Sequence, residues 1–167
     1  MIFGKKPSAP DVGRLAEMHY DAVWRFCCRR VGEAHASDAT QDTFLTAVRR
    51  SSSFRGESEA RTWLFGIALN VCRNLHRKSG RDLGEEWLQH LPEPDPAPAA
   101  LERTTLRQAL LGLSPEHREA VILHEMEGFS YREIGEIVGV PEGTVKSRLH
   151  HAFLALRKAL APEEIAR

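Results

Sequence analysis

No stretch of this sequence approaches the roughly 18 consecutive apolar residues that a bilayer-spanning helix needs. Met1 to Pro10 also lacks the apolar core of a signal peptide, so the expectation is a cytoplasmic protein. Cysteine is scarce. Cys27, Cys28 and Cys72 form no CxxC pair and leave an odd one over, which excludes a disulfide framework and predicts reduced thiols in a core. Catalytic signatures are missing as well. His124-Glu125 begins like the HExxH of zinc proteases, but Gly128 occupies the place of the second histidine. With no nucleophile elbow and no phosphate loop, the expectation is a protein that is not an enzyme and needs no metal or cofactor. Internal repeats are absent too.

Net charge is the last absence, since 23 basic residues balance 23 acidic ones. The distribution says more than the sum. Arg61 to Arg81 contains Arg61, Arg73, Arg77, Lys78 and Arg81 with no acid, and Thr144 to Leu160 is also acid-free. Leu83 to Ala100 has four acids and no Lys or Arg, and alternates Pro92, Pro94, Pro96 and Pro98 with other residues. Helix cannot persist through such a segment, which reads as a flexible linker. The fold class expected is all-α: two small helical domains joined by a flexible Pro-rich linker. Their bounds are 1–82 and 101–167, with the linker at 83–100.

The second domain contains the form of a helix-turn-helix. Ser130-Tyr131-Arg132-Glu133 has capping-box spacing, so a helix starts there and continues through Ile134, Ile137 and Val138 to Gly139. Pro141 suits the first turn of a new helix. From Thr144 onward Val145, Leu149, Ala152, Phe153, Leu156 and Leu160 form an apolar stripe, with Lys146, Ser147, His150 and His151 outside it. Four Lys or Arg and no acid between Thr144 and Leu160 suit phosphate neutralisation, while short polar side chains reach base edges. Taken alone, the second helix reads first as a solvated amphipathic helix; capping box, turn glycine and acid-free helix together point to DNA binding. Upstream, Leu106, Ala109 and Leu110 resume helical spacing, and Ser114-Pro115 starts a helix expected to run to Gly128 and buttress the motif.

The first domain reads as three helices. Asp11 to Val31 is the first, ending at Gly32. The second runs from about Ser37 to Arg50, with Ala39, Thr43, Phe44, Ala47 and Val48 inward and Asp38, Gln41 and Asp42 outward. By itself that polar strip reads as plain solvated surface. A Ser- and Gly-rich loop over Ser51 to Glu59 holds Phe54 and Arg55. The third helix, Arg61 to Arg77, interleaves Trp63, Asn70, Arg73, Asn74 and Arg77. Cations that hold backbone, amides that read exposed edges and an aromatic that stacks suit unpaired nucleotides. Trp63 by itself also reads as core.

These residues resemble a known family, the bacterial sigma factors of the extracytoplasmic function (ECF) group, over nearly the whole chain. The resemblance rests on Leu113-Ser114-Pro115, on Gly128 to Ile134 and on Val140 to Leu149 in the second domain. In the first it rests on Gln41-Asp42-Thr43-Phe44, Phe54-Arg55-Gly56, Thr62-Trp63-Leu64 and Ile67 to Asn70. It implies a promoter-specific initiation factor whose partners are core RNA polymerase, through its beta-prime and beta subunits, and promoter DNA, with an anti-sigma factor as regulator. By resemblance, Asp38, Gln41 and Asp42 match the strip that docks on the beta-prime coiled coil. Phe54, Arg55, Trp63, Asn70, Arg73, Asn74 and Arg77 match the minus-ten surface, where the Phe54 to Glu59 loop and Asn70 receive a flipped base. Thr144, Lys146, Ser147, Arg148, His150 and His151 match the minus-thirty-five recognition helix. Four positions depart from the family pattern. Gly66 stands where many members carry a cation. His150 and His151 stand where Arg is common, which makes pH-sensitive base preference an expectation. Gly135 replaces a small alanine at an expected cost of up to about 1 kcal/mol of helix stability. A stand-alone DNA-binding regulator is the alternative, though it leaves Gln41-Asp42 and Asn70 unexplained.

Overall fold

The protein is described by a computed structural model over residues 9–56, 58–79 and 106–161. The expected linker at 83–100 lies outside the described residues. Among those residues regular structure is helical throughout, without a strand. The chain divides into two compact units. Among the described residues, one holds the helices up to Ser79 together with Glu136–Gly139, and the other holds the rest.

Helix α1 (Val12–Val31) starts where the Asp11 carboxylate accepts the Arg14 N–H at 3.1 Å. It ends at Gly32, whose φ of 77° is one that L side chains rarely adopt. Helix α2 (Glu33–Arg50) follows at once, with the same Gly32 as its N-cap. The sequence placed this start at Ser37; the structure moves it back, because one glycine serves as both end and beginning and no loop intervenes. A 3₁₀ turn at Ser51–Ser53 leads toward α3 (Ala60–Ser79).

Small residues let α2 lie close to its neighbours. Ala36, Ala39, Thr40, Thr43 and Ala47 are buried, and the Thr40 and Thr43 hydroxyls donate to the Ala36 and Ala39 carbonyls at 2.7 Å, so neither polar group is stranded. Phe26 of α1 meets Phe65 of α3 edge-on, with centroids 5.2 Å apart. The Cys72 thiol donates to Cys27 Sγ at 3.9 Å in the same core. That bond favours the Cys27 thiolate, with help from Thr40, Arg30 and Arg29, while the bond and burial push Cys72 well above its ordinary value. All three cysteines are buried free thiols, as expected. Two expected core residues are not: Phe44 is only half-buried, stacked on Tyr20 at 5.9 Å, and Val48 is 58% exposed. The buried stripe of α2 is narrow because small side chains make it, and the larger flanking residues fall at its edge.

In the second unit residues 106–111 are helical and form α4, with Ala109 and Leu110 buried but Leu106 exposed. Helix α5 (Pro115–Val121) begins where Ser114 Oγ accepts the His117 N–H at 3.3 Å. It does not continue regularly to Gly128. Ile122–Met126 widens into a π turn, closed by Glu127 N–H donating to the Ile122 carbonyl at 3.2 Å, and Gly128 at φ 69° ends it. Buried Arg118 donates to the carbonyls of Leu110, Leu111 and Leu113 at 2.9, 3.0 and 2.9 Å, satisfying the C-terminal end of α4.

Helix α6 (Tyr131–Val138) has the capping box in both directions: Ser130 N–H donates to Glu133 Oε2 at 2.8 Å, and Glu133 N–H to Ser130 Oγ at 3.4 Å. Gly139 turns the chain at φ 79°. Helix α7 (Glu142–Leu160) takes Pro141 as N-cap, one residue outside the first turn where the sequence placed it, and the Pro141 carbonyl accepts from Thr144 and Val145. Gly135 corrects another expectation. A Cβ there would stand 2.6 Å from the Val140 carbonyl oxygen, so the turn itself demands glycine.

Candidate nucleic-acid interface

On α7 the buried residues are Val145, Leu149, Ala152 and Leu156, spaced four, three and four apart. Phe153 and Leu160, expected in that stripe, are exposed: Phe153 stands beside this line, and Leu160 is the last residue of the helix. The opposite face carries Lys146, Ser147, His150 and His151 in solvent, with Thr144 and Arg148 half-buried at its margin. Lys146 and His150, like Ser147 and His151, are one turn apart on one face. The His150 and His151 rings meet at 5.5 Å, and His151 also lies against His117 of α5, centroids 6.3 Å apart and planes at 25°. Sequence reasoning missed His117; the only signal was its place three residues after the Ser114 cap. Beside it, the Glu116 carboxyl is held below its ordinary value, first by its own backbone N–H, then by the Ser114 hydroxyl, and also by Arg148 and His117.

In the first unit, α3 presents Asn70, Asn74 and Arg77 in solvent and Arg73 half-buried, a ladder of three- and four-residue steps along one face. Arg77 Nη2 donates to Asn74 Oδ1 at 3.3 Å. Trp63 is neither core nor free platform: it is half-buried, with Phe54 5.2 Å away at 60°. Phe54 follows the 3₁₀ turn, Arg55 is exposed, and Gly56 bends the chain at φ 68°. Glu57, in the expected base-receiving loop, lies outside the described residues. On α2, Asp38, Gln41 and Asp42 are all exposed. Asp38 and Gln41 edge a cleft of about 560 Å³ between α1 and α2, floored by Tyr20, Phe44, Leu45 and Val48. A polar rim on an apolar floor suits a protein helix better than a nucleic acid.

The truncated zinc-protease motif is otherwise engaged, since His124 Nδ1 lies 3.0 Å from the Phe129 carbonyl oxygen and Nε2 3.7 Å from Glu125. Among the described residues no group of three or more His, Cys, Asp or Glu could hold a metal ion, and no helix is long and apolar enough to cross a membrane.

Residues 15–82 match the family described as Sigma-70 region 2, and residues 103–156 match Sigma-70, region 4. The chain is 37% identical over 154 residues to the ECF RNA polymerase sigma factor SigL of Mycobacterium tuberculosis, covering 87% of this chain and 86% of that protein. It belongs to the ECF RNA polymerase sigma factors. As a sigma factor it is a promoter-specific transcription initiation factor. Against SigE of Mycolicibacterium smegmatis the identity is 36% over 95% of this chain, which spans only 65% of that longer relative. Among solved structures, the sigma factor RpoE of Bartonella quintana, in complex with the anti-sigma factor NepR, superposes with a TM-score of 0.65 at 29% identity over 92% of this chain and 99% of that one. CnrH, in complex with the cytosolic domain of CnrY, gives 0.64 at 25% over 92% of this chain and 89% of that one.

Proposed function

We propose that this ECF sigma factor works in the cytoplasm, without catalysis of its own, by dividing promoter recognition between its two units. Residues 1–82 dock on the beta-prime subunit of core polymerase through Asp38, Gln41 and Asp42, and hold the melted minus-ten strand on Phe54, Arg55, Trp63, Asn70, Arg73, Asn74 and Arg77. Residues 101–167 read the minus-thirty-five duplex through Thr144, Lys146, Ser147, Arg148, His150 and His151. The observation that carries this reading is the pair of helix faces, on α3 and α7, rich in cations and short polar groups and turned to solvent in separate units.

The division follows from the energetics. Duplex binding fixes register cheaply through phosphates and base edges. Extruding a base costs a few kcal/mol, which a pre-shaped pocket offsets for the right base only, so strand separation itself becomes sequence reading. An anti-sigma protein that covers both faces would silence both steps; the solved sigma factor RpoE, captured with the anti-sigma factor NepR, supports control by such a partner.

Run-off transcription with reconstituted holoenzyme tests the assignment. Lys146→Ala should weaken closed-complex binding and lower the salt slope by about 0.9 while leaving activity on a pre-melted template. Asn70→Ala should bind duplex normally and fail at opening. If both variants transcribe like the wild type, the assignment is wrong.

A further inference from the structure

The histidine contact between α5 and α7 joins the recognition face to a helix outside the helix-turn-helix. His117 is half-buried in the first turn of α5, and its ring lies parallel to His151, 6.3 Å away, while His151 touches His150. Three imidazoles thus form one patch, a turn along α7 from Lys146 and Ser147.

The charged neighbours leave this patch open toward solvent. Glu116, on the same turn, is engaged by its own N–H and the Ser114 hydroxyl, and Arg148 of α7 lies on its side. Arg118 is turned inward to the carbonyls of α4, and Glu119 is buried. On the adjoining π turn, His124 faces the Phe129 carbonyl and Glu125 lies against His124. Of that set, Glu116 is the carboxylate that interacts with His117. Imidazole is the side chain whose charge changes between about pH 5 and 8. Adjacent imidazolium groups repel, and an anion laid across them relieves that repulsion. On a face built for duplex DNA, that anion is a backbone phosphate.

We infer that His117 is a third DNA-contacting imidazole, which with His150 and His151 takes up a proton as it grips a phosphate of the bound duplex. This rests on the assignment of α7 to the minus-thirty-five element. It extends the contact surface onto α5 and makes promoter affinity depend on pH through a residue outside the recognition helix.

The test measures holoenzyme affinity for a promoter duplex against salt at pH 6 and pH 8, with wild type, His117→Gln and His117→Lys. Each imidazolium that neutralises a phosphate steepens the plot of log affinity against log salt by about 0.9. The wild type is expected to be steeper at pH 6 than at pH 8. His117→Gln should lose about 0.9 of that difference, and His117→Lys should be steeper by about the same amount already at pH 8. Equal affinity for core polymerase in all three shows that folding is intact. A Gln variant with the wild-type pH dependence, or a Lys variant no steeper than wild type at pH 8, overturns the inference. Wild-type holoenzyme indifferent to a scrambled minus-thirty-five element would instead overturn the underlying assignment.

Discussion

The Gly135 backbone lies so close to Val140 that an added Cβ would stand 2.6 Å from the Val140 carbonyl oxygen. Helix propensity alone favours alanine over glycine by about 1 kcal/mol. Here the sign reverses, because the neighbour is backbone, held by the Val140 N–H donating to the Gly135 carbonyl at 3.0 Å. Gly135→Ala should cost about 1–3 kcal/mol, the usual penalty of overpacking, read as a lower urea midpoint. A gain in stability would mean the turn opens freely.

Arg118 is the buried cation that ties α5 to the end of α4. Its three carbonyl partners, Leu110, Leu111 and Leu113, would each lose a donor without it, although Leu110 would keep the Leu113 N–H at 3.2 Å. Arg118→Met keeps the volume and removes the donors, and should cost about 3 kcal/mol in chemical denaturation. Arg118→Lys should recover only part, since one ammonium cannot span three acceptors in the geometry of a guanidinium.

Glu116 gives a pH dependence with a defined sign. Its carboxyl is held below 4.5 by its own N–H and the Ser114 hydroxyl. A depressed folded value means stabilisation that is present above about pH 4.5 and lost as pH falls below it. Because the group is exposed, the effect is small. Glu116→Gln should lower the melting midpoint slightly at pH 7, and that difference should shrink as the pH is taken below 4.5.

On α2, Gln41 lines the apolar cleft and Asp42 is exposed next to it in sequence. Changing both to alanine should leave the melting curve in place and weaken binding to core polymerase by about tenfold or more, some 1.4 kcal/mol. Calorimetry or a fluorescence titration with core enzyme gives the number. Undiminished binding would move the docking surface elsewhere.

What was legible in the sequence was what is decided within a turn. The capping box at Ser130 and Glu133, the Ser114 cap and the glycine stops depend on residues three or four apart, and each appears as expected. The exposed faces of α3 and α7 were legible because charge and amides rarely enter cores. What failed depended on neighbours distant in sequence. Periodicity marks the direction of an apolar stripe but not its width, so Val48 and Phe153 were misplaced. The π turn and the meeting of His117 with His151 arise from packing between segments, which no local pattern encodes.

Gly32 closes one helix and opens the next with nothing between. Adding or removing a single residue there would swing α2 by about 100° about its own axis, carrying Asp38, Gln41 and Asp42 around the cylinder. Evolution can therefore retune this corner only letter by letter, never by lengthening it. Under the proposed docking, the spacing from α1 to the α2 rim matters as much to the partner as the side chains that stand on that rim.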